Sequence, residues 1–203
     1  MKKEICKRLV SLVIILFGLS IMTFGLTYIL PSNPAEQLAE SMGAGHDREV
    51  IAKIEEKYGL NKSFGEQYIS WLKGALHGDF GMSVKYAQPV SQVLGRKLPN
   101  TIKLAVASFI LMLLISFPLG ILSAVYKDKA ADYIIRFMSF LGISLPSFWG
   151  GMMLIYLLAV NLHWLPVGGS DSFKSLIMPA ITLSLSMSAY YIRRIRAVMV
   201  EQM

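Results

Sequence analysis

Cysteine is nearly absent from this 203-residue sequence: Cys6 stands alone, so no disulfide can form within the chain. Histidine is almost as scarce, with His46, His77 and His163 scattered, and none of them is assigned as a metal ligand. Charged residues make up 16%, under the usual quarter, and the long apolar runs hold no carboxylate and no histidine. A proton relay or ion-coupled mechanism therefore has no group to run through inside them. Catalytic signatures are missing too, since there is no G-x-S-x-G, H-E-x-x-H or C-x-x-C. The nearest approach to a phosphate loop, residues 168–175, has Phe173 in place of the second glycine and no strand before it. These absences argue against an enzyme and leave no cofactor, metal or nucleotide site to assign.

Apolar length is what the chain has instead. Runs at 9–30, 101–125, 133–160 and 176–192 are separated by polar segments, hydrophobic residues reach 54%, and the mean hydropathy is +0.52. A helix rising about 1.5 Å per residue needs about 20 residues to cross about 30 Å of hydrocarbon. The first three runs exceed that length. The fourth, 17 residues containing Pro179, sits at the lower limit, with Tyr190 and Tyr191 placed as interfacial anchors. The predicted fold is all-α, a polytopic helical membrane protein with about four transmembrane helices and a small extracytoplasmic helical cap. Residues 1–30 form the cytoplasmic N-terminus and first span, 31–100 the cap, 101–192 three further spans, and 193–203 a cytoplasmic lead-in.

A net charge of +7 raises the question of nucleic acid, but the cations gather at span ends rather than along one stripe, so no nucleic-acid partner is expected. Lys2, Lys3, Lys7 and Arg8 precede the first run, Lys127, Lys129 and Arg136 lie around the turn between the second and third, and Arg193, Arg194 and Arg196 follow the fourth. If every run crosses, all ten share one side, which the positive-inside rule makes cytoplasmic together with both termini. A basic start followed by an apolar run is also the pattern of a secretory signal. Here the run has 22 residues where signals use about 7–15, and no A-x-A-like site follows closely.

The cap has helical patterns of its own. Val50, Ile51, Ile54 and Tyr58 share one face of a helix beginning near Asp47, and Gly59 supplies a stop. Ser63 and Glu66 make a capping box before the stripe Tyr68, Trp71, Leu72, Ala75 and Leu76. The two stripes are expected to pack on each other and on the bilayer surface.

A series of short motifs follows in order: Gly59-Leu60-Asn61-Lys62, Gln67-Tyr68, Trp71-Leu72, Gly78-Asp79-Phe80-Gly81 and Ser83. It continues through Leu98-Pro99-Asn100-Thr101, Pro118-Leu119-Gly120, Gly142-Ile143-Ser144-Leu145-Pro146-Ser147-Phe148-Trp149, Trp164-Leu165-Pro166 and Pro179-Ala180-Ile181-Thr182-Leu183. In these motifs the chain resembles the peptide/nickel-type permease subunits of bacterial ABC importers over nearly its whole length. The resemblance implies an inner-membrane transporter subunit that pairs with a second permease subunit, two cytoplasmic ATP-binding subunits and an extracellular solute-binding protein. Solute would cross between the two permeases.

The residues themselves are compatible with a mobile bundle. Ser116, Gly120 and Ala124 recur every four residues in the second run, and Ala180, Ser184 and Ser188 do so in the fourth, each set a narrow stripe for close helix packing in lipid. Pro118, Pro146 and Pro179 each delete a helical hydrogen bond, suggesting three bends beside a pathway or, alternatively, static kinks. Ser144 and Ser147 flank Pro146. Their hydroxyls either face a translocation route or bond to their own helix.

In the resembled family a coupling loop with an acidic and glycine-containing signature follows the fourth span and enters the ATPase. Residues 193–203, with Arg193, Arg194, Arg196 and Glu201, match only its lead-in, so the chain is expected to be part of a longer permease or a truncated product. A non-transporting membrane scaffold or regulatory subunit that uses the small-residue stripes for helix pairing is the competing reading. The substrate, whether dipeptide, oligopeptide, nickel or metal chelate, is left open.

Overall fold

The computed structural model describes residues 2–29, 33–169 and 172–203. The expected limits of the first span and of the cap, at Leu30, Pro31 and Ser32, and the Ser170-Asp171 dipeptide lie outside the described residues. The chain divides into two compact units, Met1–Arg96 and Lys97–Met203.

In the first unit α1, Lys2–Ile29, carries an 18-residue window of mean hydropathy 2.5 with none of it buried inside the chain. Leu9, Val13, Leu16 and Leu26 are each more than half exposed. An apolar surface on all sides of one helix is covered by lipid in a membrane span. The short helix α2, Pro34–Ser41, starts at Asn33, whose Oδ1 accepts from the Ala35 N–H at 2.9 Å, and Pro34 stands where a missing N–H costs nothing. Ala35, Leu38 and Ala39 of α2 close a small core with Ile54 of α3, Arg48–Tyr58.

Asp47 caps α3 through the Glu49 N–H, and Gly59 ends it at φ +64°, a left-handed conformation that glycine adopts without a Cβ clash. The α4 helix, Phe64–Leu76, opens with the expected box: the Glu66 carboxylate accepts from the Ser63 hydroxyl at 2.7 Å and the Ser63 N–H at 3.1 Å. Those two bonds, the hydroxyl's first, hold the Glu66 carboxyl below its ordinary pKa.

The two cap stripes find different partners from those expected. The α3 stripe faces α2, whereas α4 lies along α1. Phe24 of α1 stands edge-on to Phe64 and Tyr68, with centroids 5.6 and 5.5 Å apart, and the Ser20 and Tyr68 hydroxyls are 2.8 Å apart. Edge-to-face pairs add about 0.5–1.5 kcal/mol beyond area burial, so an aromatic stripe favours the aromatic side of the span over the aliphatic α3. A two-residue hairpin, β1 Met82–Ser83 with β2 Gln88–Pro89, ends this stretch.

The helix α5, Val90–Val125, begins eleven residues before the expected start of the second span and runs unbroken through Pro99 and Pro118. Each proline leaves only the carbonyl four residues back unpaired, which a helix can bend around rather than end. The expected single span at 133–160 is instead two helices, α6 Ala130–Ser144 and α7 Ser147–Leu154, with a π-helical extension Ile155–Asn161. Their axes meet at 100°. The last helix, α8 Phe173–Gln202, is 30 residues long, so the fourth apolar run, 176–192, lies within a longer helix and Pro179 does not interrupt it. Of the three prolines expected to bend a span, only Pro146 breaks a helix. The architecture is that of an all-α, multi-pass membrane protein.

Candidate functional site: a broken helix and a buried ion pair

In the second unit α8 is the central helix: 39% of its membrane window is buried, against 22% for that of α5. Its neighbours approach through glycine. A methyl group on Gly120 of α5 would lie 2.8 Å from the Ile195 Cβ, one on Gly142 of α6 would lie 2.9 Å from the Ala189 Cβ, and one on Gly151 of α7 would meet Thr182 Cγ2 at 3.3 Å. Distances under 3 Å exclude a side chain, so the first two crossings depend on the missing Cβ.

All six small residues of the two stripes are buried. Ser116, Gly120 and Ala124 belong to a longer α5 series that also holds Ser108 and Met112, while Ala180, Ser184 and Ser188 line α8. Their hydroxyls are satisfied locally, Ser116 at the Met112 Sδ and Ser184 at the Ile181 carbonyl. Ser188 is the exception: its Oγ is buried with no hydrogen-bond partner among the described residues.

The break lies at Leu145 and Pro146, both extended, with ψ near 130°. Proline disfavours helical backbone at the residue before it, so Leu145 leaves the helix and the chain turns there. The Pro146 carbonyl then accepts from the Trp149 and Gly150 N–H groups and restarts the coil as α7. Ser144, Pro146 and Ser147 are exposed, and neither serine hydroxyl bonds to a described residue. The corner therefore presents two unengaged hydroxyls and the first turn of α7.

At the other end of α6 stands a group that the sequence reading missed. Asp132, in the first turn, is fully buried. Its Oδ1 accepts from Arg196 Nε and the Ser123 hydroxyl, both at 2.6 Å; its Oδ2 accepts from Arg196 Nη2 at 2.6 Å and the Asp128 N–H at 3.0 Å. Arg136 Nη1 stands 4.0 Å from Oδ2. The fork-on-fork pairing with Arg196 is the geometry guanidinium and carboxylate adopt when both bonds form, and the two further donors use the remaining lone pairs. One carboxylate thus ties the start of α6 to the ends of α5 and α8. Asp132 directly precedes the third apolar run, where an isolated acid reads as a flank, and its partner is 64 residues away.

Of the four residues singled out in the segment 193–203, Arg196 is committed to Asp132, whereas Arg193, Arg194 and Glu201 are exposed on the same helix. No group of three or more His, Cys, Asp or Glu side chains among the described residues is arranged to hold a metal.

Two family models match the chain. "Binding-prot-dependent transport system membrane comp, N-term" covers residues 1–105, and "Binding-protein-dependent transport system inner membrane component" covers 116–203. Among similar proteins, the oligopeptide transport system permease protein AppB of Bacillus subtilis (strain 168) is 37% identical over 99% of this chain and 66% of its own length. The metal-staphylopine import system permease protein CntB of Staphylococcus aureus (strain NCTC 8325 / PS 47) is 36% identical over 100% and 66%. The glutathione transport system permease protein GsiC of Escherichia coli (strain K12) is 31% identical over 99% and 65%. The chain spans about two thirds of the length of these curated relatives.

Proposed function

Because the chain belongs to the family of binding-protein-dependent transport system inner membrane components, the permeases of peptide/nickel-type ABC importers, we propose that it forms part of the solute pathway of such an importer. The solute is a short peptide or a peptide-like metal chelator, a class suggested by relatives named for oligopeptides, metal-staphylopine and glutathione. A second permease subunit completes the pathway, cytoplasmic ATP-binding subunits supply the energy, and an extracellular solute-binding protein delivers the cargo. Both termini lie on the cytoplasmic side of a bacterial inner membrane, in keeping with the ten cations at that end of the spans.

The observation that carries the reading is the corner at Pro146. A 100° turn inside an otherwise apolar pair of helices, exposing two unbonded hydroxyls, is tolerated in a membrane where it borders a water-filled route. The short α7 packs on α8 through Gly151 and Thr182, and α8 is tied to α6 by the Asp132–Arg196 pair. A displacement of α8 therefore reaches both arms of the corner. The scaffold reading fares worse, because it needs the small-residue stripes free for a partner helix and they are buried within this chain.

The test uses Cys6, the only cysteine, replaced by serine, and single cysteines placed at Ser144 and Ser147 in the assembled importer. A membrane-impermeant maleimide should label both sites, with a rate that changes between the resting and ATP-bound states. Absence of labelling in every state would sink the pathway assignment.

A further inference from the structure

The cavity between α6 and α8 at the Asp132 end has features that transport of a solute does not use. It measures about 450 Å³ and is lined by Tyr133, Arg136, Phe137, Phe140, Arg193 and Arg196. Three guanidinium groups line it and no carboxylate does; Asp132, behind it, is taken up by Arg196, which also feels the charge of Asp128. Arg136 is half exposed and 4.0 Å from the same carboxylate, while Arg193 has no hydrogen bond or ion pair to any described residue. Arg136 and Arg193 therefore stand without a hydrogen-bonded carboxylate among the described residues, beside Tyr133, whose ring lies 5.6 Å from the Arg136 guanidinium.

Tyr133, Phe137 and Phe140 are spaced four and three apart, on one face of α6, and are exposed by 57%, 60% and 59%. This aromatic strip leads from the cavity along a helix of the membrane-spanning pair. An occupant must then bring anionic charge to the mouth and apolar length to the strip. An acidic peptide from another protein meets only the first requirement. We propose that the cavity is a binding site for an anionic phospholipid, its phosphate held by Arg136 and Arg193 and an acyl chain lying along Tyr133, Phe137 and Phe140. Basic pockets between spans at a membrane face are suited to anionic head groups. By this assignment the lipid reinforces the α6–α8 junction without touching the corner at Pro146.

The experiment counts lipids on the assembled importer released from nanodiscs of phosphatidylcholine doped with phosphatidylglycerol, using native mass spectrometry. Phosphatidylglycerol should be retained in preference, and R136Q and R193Q should each lower retention about fivefold, the factor for losing about 1 kcal/mol of contact with a head group that stays bound after the surrounding bilayer is stripped away. K127Q removes a cation outside the cavity and should leave retention unchanged. Each variant is checked for its unfolding transition in pure phosphatidylcholine, and either arginine alone carries the test if the other variant does not fold. Equal loss in K127Q, or retention that survives both arginine substitutions, overturns the site. Displacement of the lipid by millimolar inorganic phosphate overturns it in favour of a free-anion site.

Discussion

Replacing Arg196 by alanine should destabilise the protein more than replacing Asp132 by alanine, although each change removes the same ion pair. Breaking a buried pair costs about 3–5 kcal/mol, mostly through the charge left behind. In D132A that charge is Arg196, whose side chain is 18% exposed and can regain water. The released Ser123 hydroxyl can turn to its own helix backbone, as Ser108 and Ser139 already do, so the cost should fall near the lower end, about 3 kcal/mol. In R196A the stranded group is Asp132, with no exposed surface and only the Ser123 hydroxyl and Asp128 N–H to hold it. Arg136 starts 4.0 Å away and can replace Arg196 only in part, which puts the cost near the upper end, about 5 kcal/mol. The double variant strands no charge and should be more stable than R196A, which requires a coupling of more than about 3 kcal/mol. Reversible unfolding in mixed detergent–SDS micelles, followed by tryptophan fluorescence, measures all three. A milder effect for R196A than for D132A, or a double variant at the sum of the singles, would refute the account of which charge is trapped.

G120A should cost about 1–3 kcal/mol in the same assay, because its methyl would sit 2.8 Å from Ile195, and G142A should behave alike against Ala189. G150A, with nothing within 4 Å of the added methyl, should be neutral or gain up to about 1 kcal/mol. S188A removes a buried hydroxyl that lacks a partner and should raise stability by about 1 kcal/mol; a loss of that size would mean the hydroxyl is bonded in the membrane.

Local signals in the sequence were read well where the physics is local. Asp47, Gly59, Ser63 and Glu66 bound α3 and α4 because capping needs only residues within a turn or so of the helix end. Residues spaced by four share a face because helical period alone decides it, and the six stripe residues are buried in α5 and α8. Partners were another matter. A stripe identifies a face but not what it meets, so α4 was assigned to α3 when its aromatic residues pack on α1. Proline was an ambiguous sign for the same reason. Pro99, Pro118 and Pro179 are carried inside helices, while Pro146, with extended backbone before it, turns the chain by 100°. Asp132 was illegible, because nothing near it in sequence announces Arg196.

The length of α5 has a mechanical meaning. Its 36 residues at about 1.5 Å each make a rod of about 54 Å. Even at the steepest usual tilt, about 40°, a bilayer core of about 30 Å accommodates only about 39 Å of it. About 15 Å, or about ten residues, must lie outside the hydrocarbon, among head groups or in water. Placed wholly at the Val90 end, that length reaches Pro99, where the carbonyl of Gly95 that lacks its helical partner can be hydrated. Pro118 has no such outlet for the Leu114 carbonyl. Of two prolines in one helix, the outer is a tolerated feature of a projecting stalk, and the inner marks where the submerged shaft is weakest.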